Sequence, residues 1–274
     1  MRNIFNYVER SSPIHELTGA TKLICLVLWS LAAMTSYDTR FLIALPVLSL
    51  ILFRSSKIKI SDVSFMLGFT AVFMVLNNVL VYAISPGHGA ELYGSRTVLI
   101  GSGRWALTAQ QLFYHVNLIL KYLSTIPIVL LFVCTTNPSE FAASLNRVGV
   151  KYTIAYSVAL ALRYIPDIQR EYHEISQAQQ ARGIEMSRKE SLVKRLKAAG
   201  AILIPLILSS MDRIETISNA MELRGFGENK KRTWYMGRKF AKADFAAIAF
   251  CAGLVVIAFV LNYINGGRFY NPFL

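Results

Sequence analysis

Five stretches of apolar, almost uncharged residues constrain the fold of this chain more than any other feature. They fall at about residues 23–36, 41–53, 62–84, 106–134 and 243–264. Crossing about 30 Å of hydrocarbon takes about 20 helical residues, and the last three stretches reach that length. Only 16% of the chain is charged, whereas a soluble domain usually carries about a quarter. A soluble protein with an unusually apolar core is therefore disfavoured, and the sequence predicts an all-α, polytopic membrane protein.

The first two apolar stretches are shorter, with 14 and 13 residues, and Asp38 and Arg40 mark a turn between them. They are predicted to form either a short helical hairpin or two partial spans. The expected number of transmembrane helices is therefore five, plus or minus one. Within the fourth stretch, Lys121 is expected to face protein or water, because a lysine in lipid costs about 3 kcal/mol. Either it lines a partner-facing or cavity-facing site, or it snorkels or finds a partner within a tilted segment.

The distribution of positive charge indicates orientation. The net charge of +13 could indicate a nucleic-acid-binding protein, but 18 of the 29 lysines and arginines fall in residues 147–242. No basic stripe interleaved with aromatic residues accompanies them, so no nucleic-acid partner is expected. With the N-terminus inside, the basic loop 54–60 and residues 135–242 both face the cytoplasm, as the positive-inside rule requires. The glycine-rich loop 85–104 is then external.

Three regions follow from this pattern. Residues 1–134 are predicted to form an N-terminal segment with transmembrane helices, residues 135–242 a cytoplasmic helical region, and residues 243–274 a C-terminal transmembrane helix. In the cytoplasmic region, Pro138 suits a helix start and Gly149 a helix end. Two long amphipathic helices follow. Their apolar faces recur every three or four residues, from Ile154 to Ala178 and from Leu192 to Met221. Glu171 and Arg213 are expected on the opposite, polar faces.

Each long helix ends in a related sequence. ISQAQQARG (175–183) and ISNAMELRG (217–225) are 42 residues apart and identical at five of nine positions. A glycine can take positive φ, and an arginine in the last turn suits the helix dipole, so each copy alone is an ordinary helix end. Two matched copies indicate a repeated function. A guanidinium at a helix tip can bind a carboxylate on a partner, and two tips favour a dimeric partner.

Several segments together resemble the transmembrane coupling subunit, or T component, of energy-coupling factor transporters, which import vitamins and transition-metal ions. Two Ala/Leu-Arg-Gly signatures carry the resemblance, and so do PIHELTGATKL (13–23), TTNPSEFAASLNRVGV (135–150) and ALRYIPDIQREYHEISQAQQARG (161–183). Thr18-Gly19-Ala20 stand where that family usually has Asp-Pro-Arg. The signature residues are Ala181, Arg182, Gly183, Leu223, Arg224 and Gly225.

The resemblance implies a non-catalytic subunit in the plasma membrane of a prokaryote. Two ATP-binding cassette ATPase subunits would receive one arginine tip each, and ATP and Mg would be bound by those subunits, with no cofactor or metal on this chain. One small membrane S component would bind the substrate and dock on the apolar faces of the long helices. The candidate residues for that contact are Ile165, Ile168, Ile207, Met211 and Ile214. Alternatively, these faces cover each other.

Other functions fit the sequence less well. A self-contained enzyme would need clustered acid, base or metal-binding groups, whereas the four histidines are scattered and no phosphate-binding Gly-Lys-Ser/Thr loop occurs. A stand-alone carrier or channel would need polar groups within the spans, for which the candidates are His115, Asn117, Lys121 and the Asn77-Asn78 pair. Interfacial anchoring predicts basic polar faces, but those of the long helices also carry acids. Cys25, Cys134 and Cys251 are expected in the apolar core.

Overall fold

The computed structural model of the chain describes residues 12–184, 192–228, 234 and 238–273. Almost all of its regular structure is helical. The helices are α1 (Pro13–Glu16), α2 (Gly19–Thr35), α3 (Thr39–Ser55), α4 (Ile60–Ile84), α5 (His88–Tyr93), α6 (Ala109–Thr135), α7 (Pro138–Arg147), α8 (Tyr152–Ala181), α9 (Leu192–Leu223) and α10 (Lys242–Ile264). The strands β1 (Val98–Ile100) and β2 (Leu107–Thr108) form an antiparallel pair. The expected all-α polytopic fold is confirmed.

The chain divides into two compact units. The membrane unit comprises Met1–Asn137 and Arg238–Leu274, and the α7–α9 unit comprises Pro138–Gly237. Three helices of the membrane unit, α4, α6 and α10, are long and apolar enough to cross a membrane, and α2 is a shorter apolar helix of 17 residues. α3 is also 17 residues long. A helix of that length extends about 25 Å, somewhat less than the hydrocarbon thickness.

The core of the membrane unit surrounds α6. α2 packs against α10 and α6, and α3 packs against α6. Four helices contribute to one apolar cluster, which includes Trp29, Ala32, Leu42, Leu45, Ile128, Leu254 and Ala258. The two short apolar stretches therefore do not form a separate hairpin, because each is held by the longer helices. Cys134 and Cys251 are buried and Cys25 is half-buried, which agrees with the core positions that their apolar surroundings predicted, and all three are free thiols.

Polar contacts join the ends of α2, α3 and α10. Asp38 caps α3 by accepting from the N–H of Arg40, and it also accepts from the Arg40 guanidinium and from Asn265 Nδ2. Burial opposes ionisation of Asp38, but these hydrogen bonds outweigh it and lower the pKa of the carboxyl. Nearby, Arg268 donates to the carbonyls of Met34 and Thr35 at the end of α2.

Lys121 belongs to the same end of the unit. Its Nζ donates to the carbonyl of Met34 (3.2 Å) and lies 3.2 Å from the ring centroid of Tyr37. A cation there complements the negative end of the α2 dipole and the face of the aromatic ring. Of the alternatives that the sequence left open, the structure shows pairing within the protein. α6 extends beyond the end of α2, which places Lys121 level with that end.

The glycine-rich segment between α4 and α6 is more ordered than its composition suggested. It contains α5 and the β1–β2 pair, and α5 packs on α6. Gly89 permits this contact, because a Cβ at that position would lie 2.6 Å from the backbone of Gln111. The Gln111 side chain accepts from the N–H of Gly89 (2.7 Å) and contacts His115, which in turn contacts Asn78 of α4.

Candidate functional site

The end of α8 is a tight turn formed by Arg182 and Gly183. The N–H of Gly183 donates to the carbonyl of Gln180 (2.9 Å), and the N–H of Ile184 donates to that of Gln179 (3.1 Å). These two bonds form a Schellman motif, which places a residue with positive φ directly after the cap. Gly183 has a φ of +85°, a value that a glycine adopts without steric cost.

α9 ends in the same geometry. The N–H of Gly225 donates to the carbonyl of Glu222 (2.9 Å), and the N–H of Phe226 donates to that of Met221 (3.0 Å). Gly225 has a φ of +63°. Arg182 and Arg224 therefore occupy the same position, immediately after the last helical residue and immediately before the turning glycine. The sequence repeat corresponds to a repeat in backbone structure.

The turn by itself does not distinguish these two helices. α7 and α10 also end in paired bonds of this kind, with Gly149 and Gly266 at the positive-φ position. The residue before the glycine is Val148 after α7, whereas Asn265 occupies that position after α10. Among the described helices that end this way, α8 and α9 are the two that place an arginine at the cap. The arginine, and not the glycine turn, therefore distinguishes the ends of α8 and α9 from the ends of α7 and α10.

The two arginine tips lie at opposite ends of an antiparallel helix pair. Gln179, near the end of α8, donates to the carbonyl of Ala201 early in α9 (3.1 Å). At the other end, the rings of Tyr156 in α8 and Phe226 after α9 have centroids 4.9 Å apart. Because α8 has 30 residues, the tips are separated by roughly 40 Å along the pair. One partner surface of ordinary size does not reach both tips.

Both arginines are exposed in the chain, and Leu223 beside Arg224 is 90% exposed. Ala181 and Gly183 are also exposed, and Gly225 is half-buried. The structure thus presents both signatures at the surface, with the side chains of the two arginines accessible.

The second tip rests on an aromatic cluster that the sequence analysis did not identify. Tyr152 and Tyr156 at the start of α8 contact Phe226, and Tyr152 also contacts Trp234, with ring centroids 4.9–5.8 Å apart. Beside these rings, a cavity of about 560 Å³ is lined in part by Arg224. The i, i+4 spacing of Tyr152 and Tyr156 could have predicted part of this cluster from the sequence, because side chains four residues apart share one helix face.

The apolar candidates for an S-component contact are partly free. Ile168 and Ile214 line one groove of about 340 Å³ between α8 and α9, so the two helices do cover part of each other. Ile207, Met211 and Ile214 nevertheless remain 56–62% exposed in the chain, and Ile165 and Ile168 remain close to 40% exposed. The two helices therefore cover each other in part, and docking of an S component on the exposed remainder stays a prediction.

The expected polar faces do not both point to solvent. The Arg213 guanidinium donates to Glu171 Oε2 (2.7 Å), and Ser209 donates to the other oxygen of Glu171. The Glu171 side chain is 16% exposed. Glu171 follows Ile168 by three residues and therefore lies at the border of the apolar face, where the facing helix reaches it. The prediction for this pair was wrong, since the pair lies between α8 and α9.

Within the described part of the chain, histidine, cysteine, aspartate and glutamate form no group of three that could hold a metal ion. Most of the polar residues considered for a transport path bond within the membrane unit. His115 contacts Gln111 and Asn78, while Asn117 accepts from Thr39 and donates to the Tyr93 hydroxyl.

Comparison with known proteins identifies the family. Residues 10–235 match the family CbiQ, cobalt transport protein. An energy-coupling factor transporter transmembrane protein EcfT from Leuconostoc gelidum is 28% identical, and the alignment covers 96% of this chain and 98% of that protein. Proteins of the same name from Staphylococcus aureus and Exiguobacterium sibiricum are 26% and 28% identical, each covering at least 95% of both chains.

The family match covers most of the chain, including α2 to α9 with both arginine tips. The fold agrees with it, since long apolar helices and amphipathic helices occur in one chain. The individual roles of the tip residues and of the apolar candidates stay predictions. The chain belongs to the CbiQ cobalt transport protein family and is a membrane-embedded transmembrane (T) component of an energy-coupling factor transporter.

Proposed function

We propose that the chain is a non-catalytic coupling subunit that passes ATP-driven motion from two cytoplasmic ATPase subunits to a membrane-embedded S component. The observation that carries this proposal is the pair of arginine tips. They share one backbone geometry, they are exposed, and they lie at opposite ends of a single antiparallel helix pair. Two separate and equivalent contact points call for two copies of a partner.

The chemistry of each tip suits a carboxylate-lined groove. A guanidinium offers a rigid fork of donors, and its bidentate bonds to carboxylate combine charge with fixed geometry. In this proposal each ATPase subunit receives one arginine, and ATP and Mg bind to those subunits. When the ATPase pair closes, the roughly 40 Å between the tips changes and α8 and α9 move against each other.

The exposed apolar residues of α8 and α9 provide the second contact. Ile207, Met211 and Ile214 recur every three or four residues and form a stripe along α9. An S component that binds a vitamin or a metal ion would cover this stripe, together with Ile165 and Ile168. In this proposal the N-terminus and the α7–α9 unit lie in the cytoplasm of a prokaryotic cell and the spans lie in its plasma membrane, as the distribution of lysines and arginines predicts.

The test is assembly of the complex with substituted tips. Arg182→Ala and Arg224→Ala are each expected to weaken association with the ATPase subunits by about tenfold or more, because each removes a charge-assisted hydrogen-bonded contact. The double variant should fail to co-purify with them. Arg170→Ala is the matched control, since Arg170 is an exposed arginine on the body of α8 with a side chain 72% exposed. Normal assembly of the double variant would refute the assignment of the tips.

The alternative of a stand-alone carrier or channel gains no support from the structure. Lys121, His115 and Asn117 are hydrogen-bonded to main-chain or side-chain groups of the membrane unit. Transport by the purified chain alone in liposomes would favour this alternative.

A further inference from the structure

The polypeptide connects the two units at two places only, and both adjoin a buried polar cluster in the membrane unit. The chain leaves the membrane unit after Asn137 and returns to it at Arg238. Immediately before the first crossing, the carbonyl of Thr135 accepts from Lys22 Nζ (2.9 Å), and the same Nζ donates to the carbonyl of His15 (3.5 Å). Lys22 is 5% exposed. A buried ammonium thus ties the start of α2 to the last residue of α6.

Asp244 makes the corresponding contact at the second crossing. Its Oδ2 accepts from the N–H of Ala241 (2.7 Å), and its Oδ1 accepts from the N–H of Thr18 (2.9 Å). Asp244 is 1% exposed. Thr18 is the N-cap of α2, so one carboxylate joins the start of α2 to the start of α10. Both connections to the α7–α9 unit are therefore bonded to the same short segment at the beginning of α2.

We propose that these residues form a junction clasp through which movement of the α7–α9 unit reaches the membrane helices, with Lys22 and Asp244 as its positioning residues. The clasp comprises Thr18, Lys22, Thr135, Ala241 and Asp244. Hydrogen bonds with one ionised partner are about twice as strong as neutral ones, and burial excludes the water that would compete for them. A displacement of either crossing therefore pulls on α2, α6 and α10 together. This inference rests on the function proposed above.

The side chains at the first crossing support a role in movement. The hydroxyl oxygens of Thr135 and Thr136 are buried, and neither has a hydrogen-bond partner among the described residues. Buried polar atoms normally find partners, so unsatisfied ones mark places where a second arrangement can be favoured. The clasp thus contains hydrogen-bonded charged groups, and beside them lie two hydroxyls that could gain hydrogen bonds if the first crossing moved.

The chain contains a matched control for Lys22. Lys121 is also a buried lysine, 6% exposed, and its Nζ also donates to a main-chain carbonyl of the membrane unit. It bonds Met34 at the far end of α2 and contacts neither crossing. Lys22→Met and Lys121→Met therefore remove the same kind of group from similarly buried sites. Only Lys22→Met is expected to stop movement of the α7–α9 unit from reaching the membrane helices.

Thr18 offers a second pair of variants that does not alter a charge. Its φ of −66° suits proline, and Leu17 has the extended conformation that a residue before proline requires. Thr18→Pro removes the N–H that Asp244 accepts and places a ring carbon against the carboxylate. Thr18→Ala keeps that N–H and removes the hydroxyl, which caps α2 and also bonds the Asp244 carboxylate. Because both variants lack the hydroxyl, the comparison isolates the main-chain bond.

The experiment is hydrogen–deuterium exchange of the complex purified with its ATPase subunits, with and without ATP and orthovanadate. In the unsubstituted complex, nucleotide is expected to change exchange both in α8 and α9 and at the starts of α2 and α10. In Lys22→Met and Thr18→Pro, the change in α8 and α9 should persist while the change in α2 and α10 is lost. Lys121→Met should behave like the unsubstituted complex, and Thr18→Ala should retain the response at the starts of α2 and α10, because its N–H still bonds Asp244.

The outcomes separate the two proposals. If nucleotide changes nothing in α8 and α9 of the unsubstituted complex, the proposed coupling function is wrong. If α8 and α9 respond and the response still reaches α2 and α10 in both Lys22→Met and Thr18→Pro, the clasp is wrong and the coupling function stands. An equal loss in Lys121→Met would also overturn the clasp, because it would show a general effect of removing a buried lysine.

Discussion

At the scale of single residues, the two residues at each tip of α8 and α9, an arginine and the glycine after it, have different roles. The glycine adopts positive φ and ends the helix, while the arginine before it caps the helix, with its N–H still bonded to a carbonyl of the last turn and its side chain exposed. A cation at this position also complements the partial negative charge of the helix C-terminus. The proposed function therefore depends on the position of Arg182 and Arg224 directly before the glycine.

Replacing Gly183 tests whether its positive φ is what ends α8. Gly183→Ala is expected to destabilise the α8 end by about 1–2 kcal/mol, because a non-glycine residue pays that much in the left-handed region. No atom lies within 4 Å of a Cβ built there, so the backbone alone sets the effect. Gly183→Asn should be milder, since asparagine tolerates this conformation better. The measurements are the melting temperature in detergent and association with the ATPase subunits.

Replacing Gly200 of α9 by alanine is expected to have the opposite effect on stability. It is in the helix interior, and a Cβ there also meets nothing within 4 Å. Gly200→Ala should therefore raise the melting temperature, because alanine is favoured over glycine in a helix by about 1 kcal/mol. If both variants shifted the melting temperature in the same direction, backbone conformation would not explain the glycine after Arg182.

At the scale of helices, the sequence predicted what depends on local chemistry. Pro138 and Gly149 bracket α7, which runs from Pro138 to Arg147 as expected. The five apolar stretches became five helices, each within a few residues of its predicted bounds. Both arginine tips were identified because the repeat and the helix-end chemistry are local. These features need no knowledge of the neighbouring helices.

Contacts between helices were less predictable. Glu171 and Arg213 are 42 residues apart, and nothing in either local pattern shows that they meet. Lys22 and Asp244 are separated by most of the chain, and their buried bonds depend on how α2, α6 and α10 pack. The ordered segment from 85 to 108 was missed because its helix and strands are shorter than any periodic pattern can resolve. All three features depend on tertiary packing, which local sequence patterns do not show.

The Glu171–Arg213 pair is expected to stabilise the α8–α9 pair. A double-mutant cycle with Glu171→Ala and Arg213→Ala should give a coupling energy of about 1 kcal/mol or more, because the pair is largely removed from water and hydrogen-bonded at 2.7 Å. The exposed pair Asp167–Arg170, at 3.8 Å, is the control and should couple by close to zero. Equal coupling in the two cycles would show that burial of the first pair contributes nothing.

The apolar stripe of α9 makes a separate prediction. Met211→Glu should prevent a small membrane partner from docking, because an ionised carboxylate cannot be buried in an apolar contact without a partner. Association with the ATPase subunits should not change, since Met211 lies about three and a half turns from Arg224. Thr216→Glu is the control, because Thr216 is exposed on another face of α9. Co-purification of the membrane partner distinguishes the two variants, and unchanged recovery with Met211→Glu would exclude the stripe as its docking surface.

At the scale of the whole molecule, the polar contacts sort the helix ends of the membrane unit into two sets. Thr18, Thr135 and Asp244 meet at one end, while Thr35, Asp38 and Asn265 belong to the other. Successive spanning helices therefore run in alternate directions. Both crossings to the α7–α9 unit leave from the first end. The structure gives these relations within the unit, and the charge distribution predicts the direction relative to the membrane.

That direction can be tested with three conservative substitutions. Ser102→Cys lies in the exposed segment before β2, Ser55→Cys at the exposed end of α3, and Ser218→Cys on the exposed surface of α9. In a chain whose native cysteines are replaced by alanine, a membrane-impermeant maleimide should label the Ser102 variant in intact cells. The other two should react only after the membrane is opened. This follows because lysines and arginines concentrate on the side of the 54–60 loop and of the α7–α9 unit. Labelling of the Ser55 or Ser218 variant from outside would show that the orientation is the reverse of the predicted one. The tips would then be out of reach of any cytoplasmic ATPase, so this experiment on the chain without its partners also tests the proposed coupling.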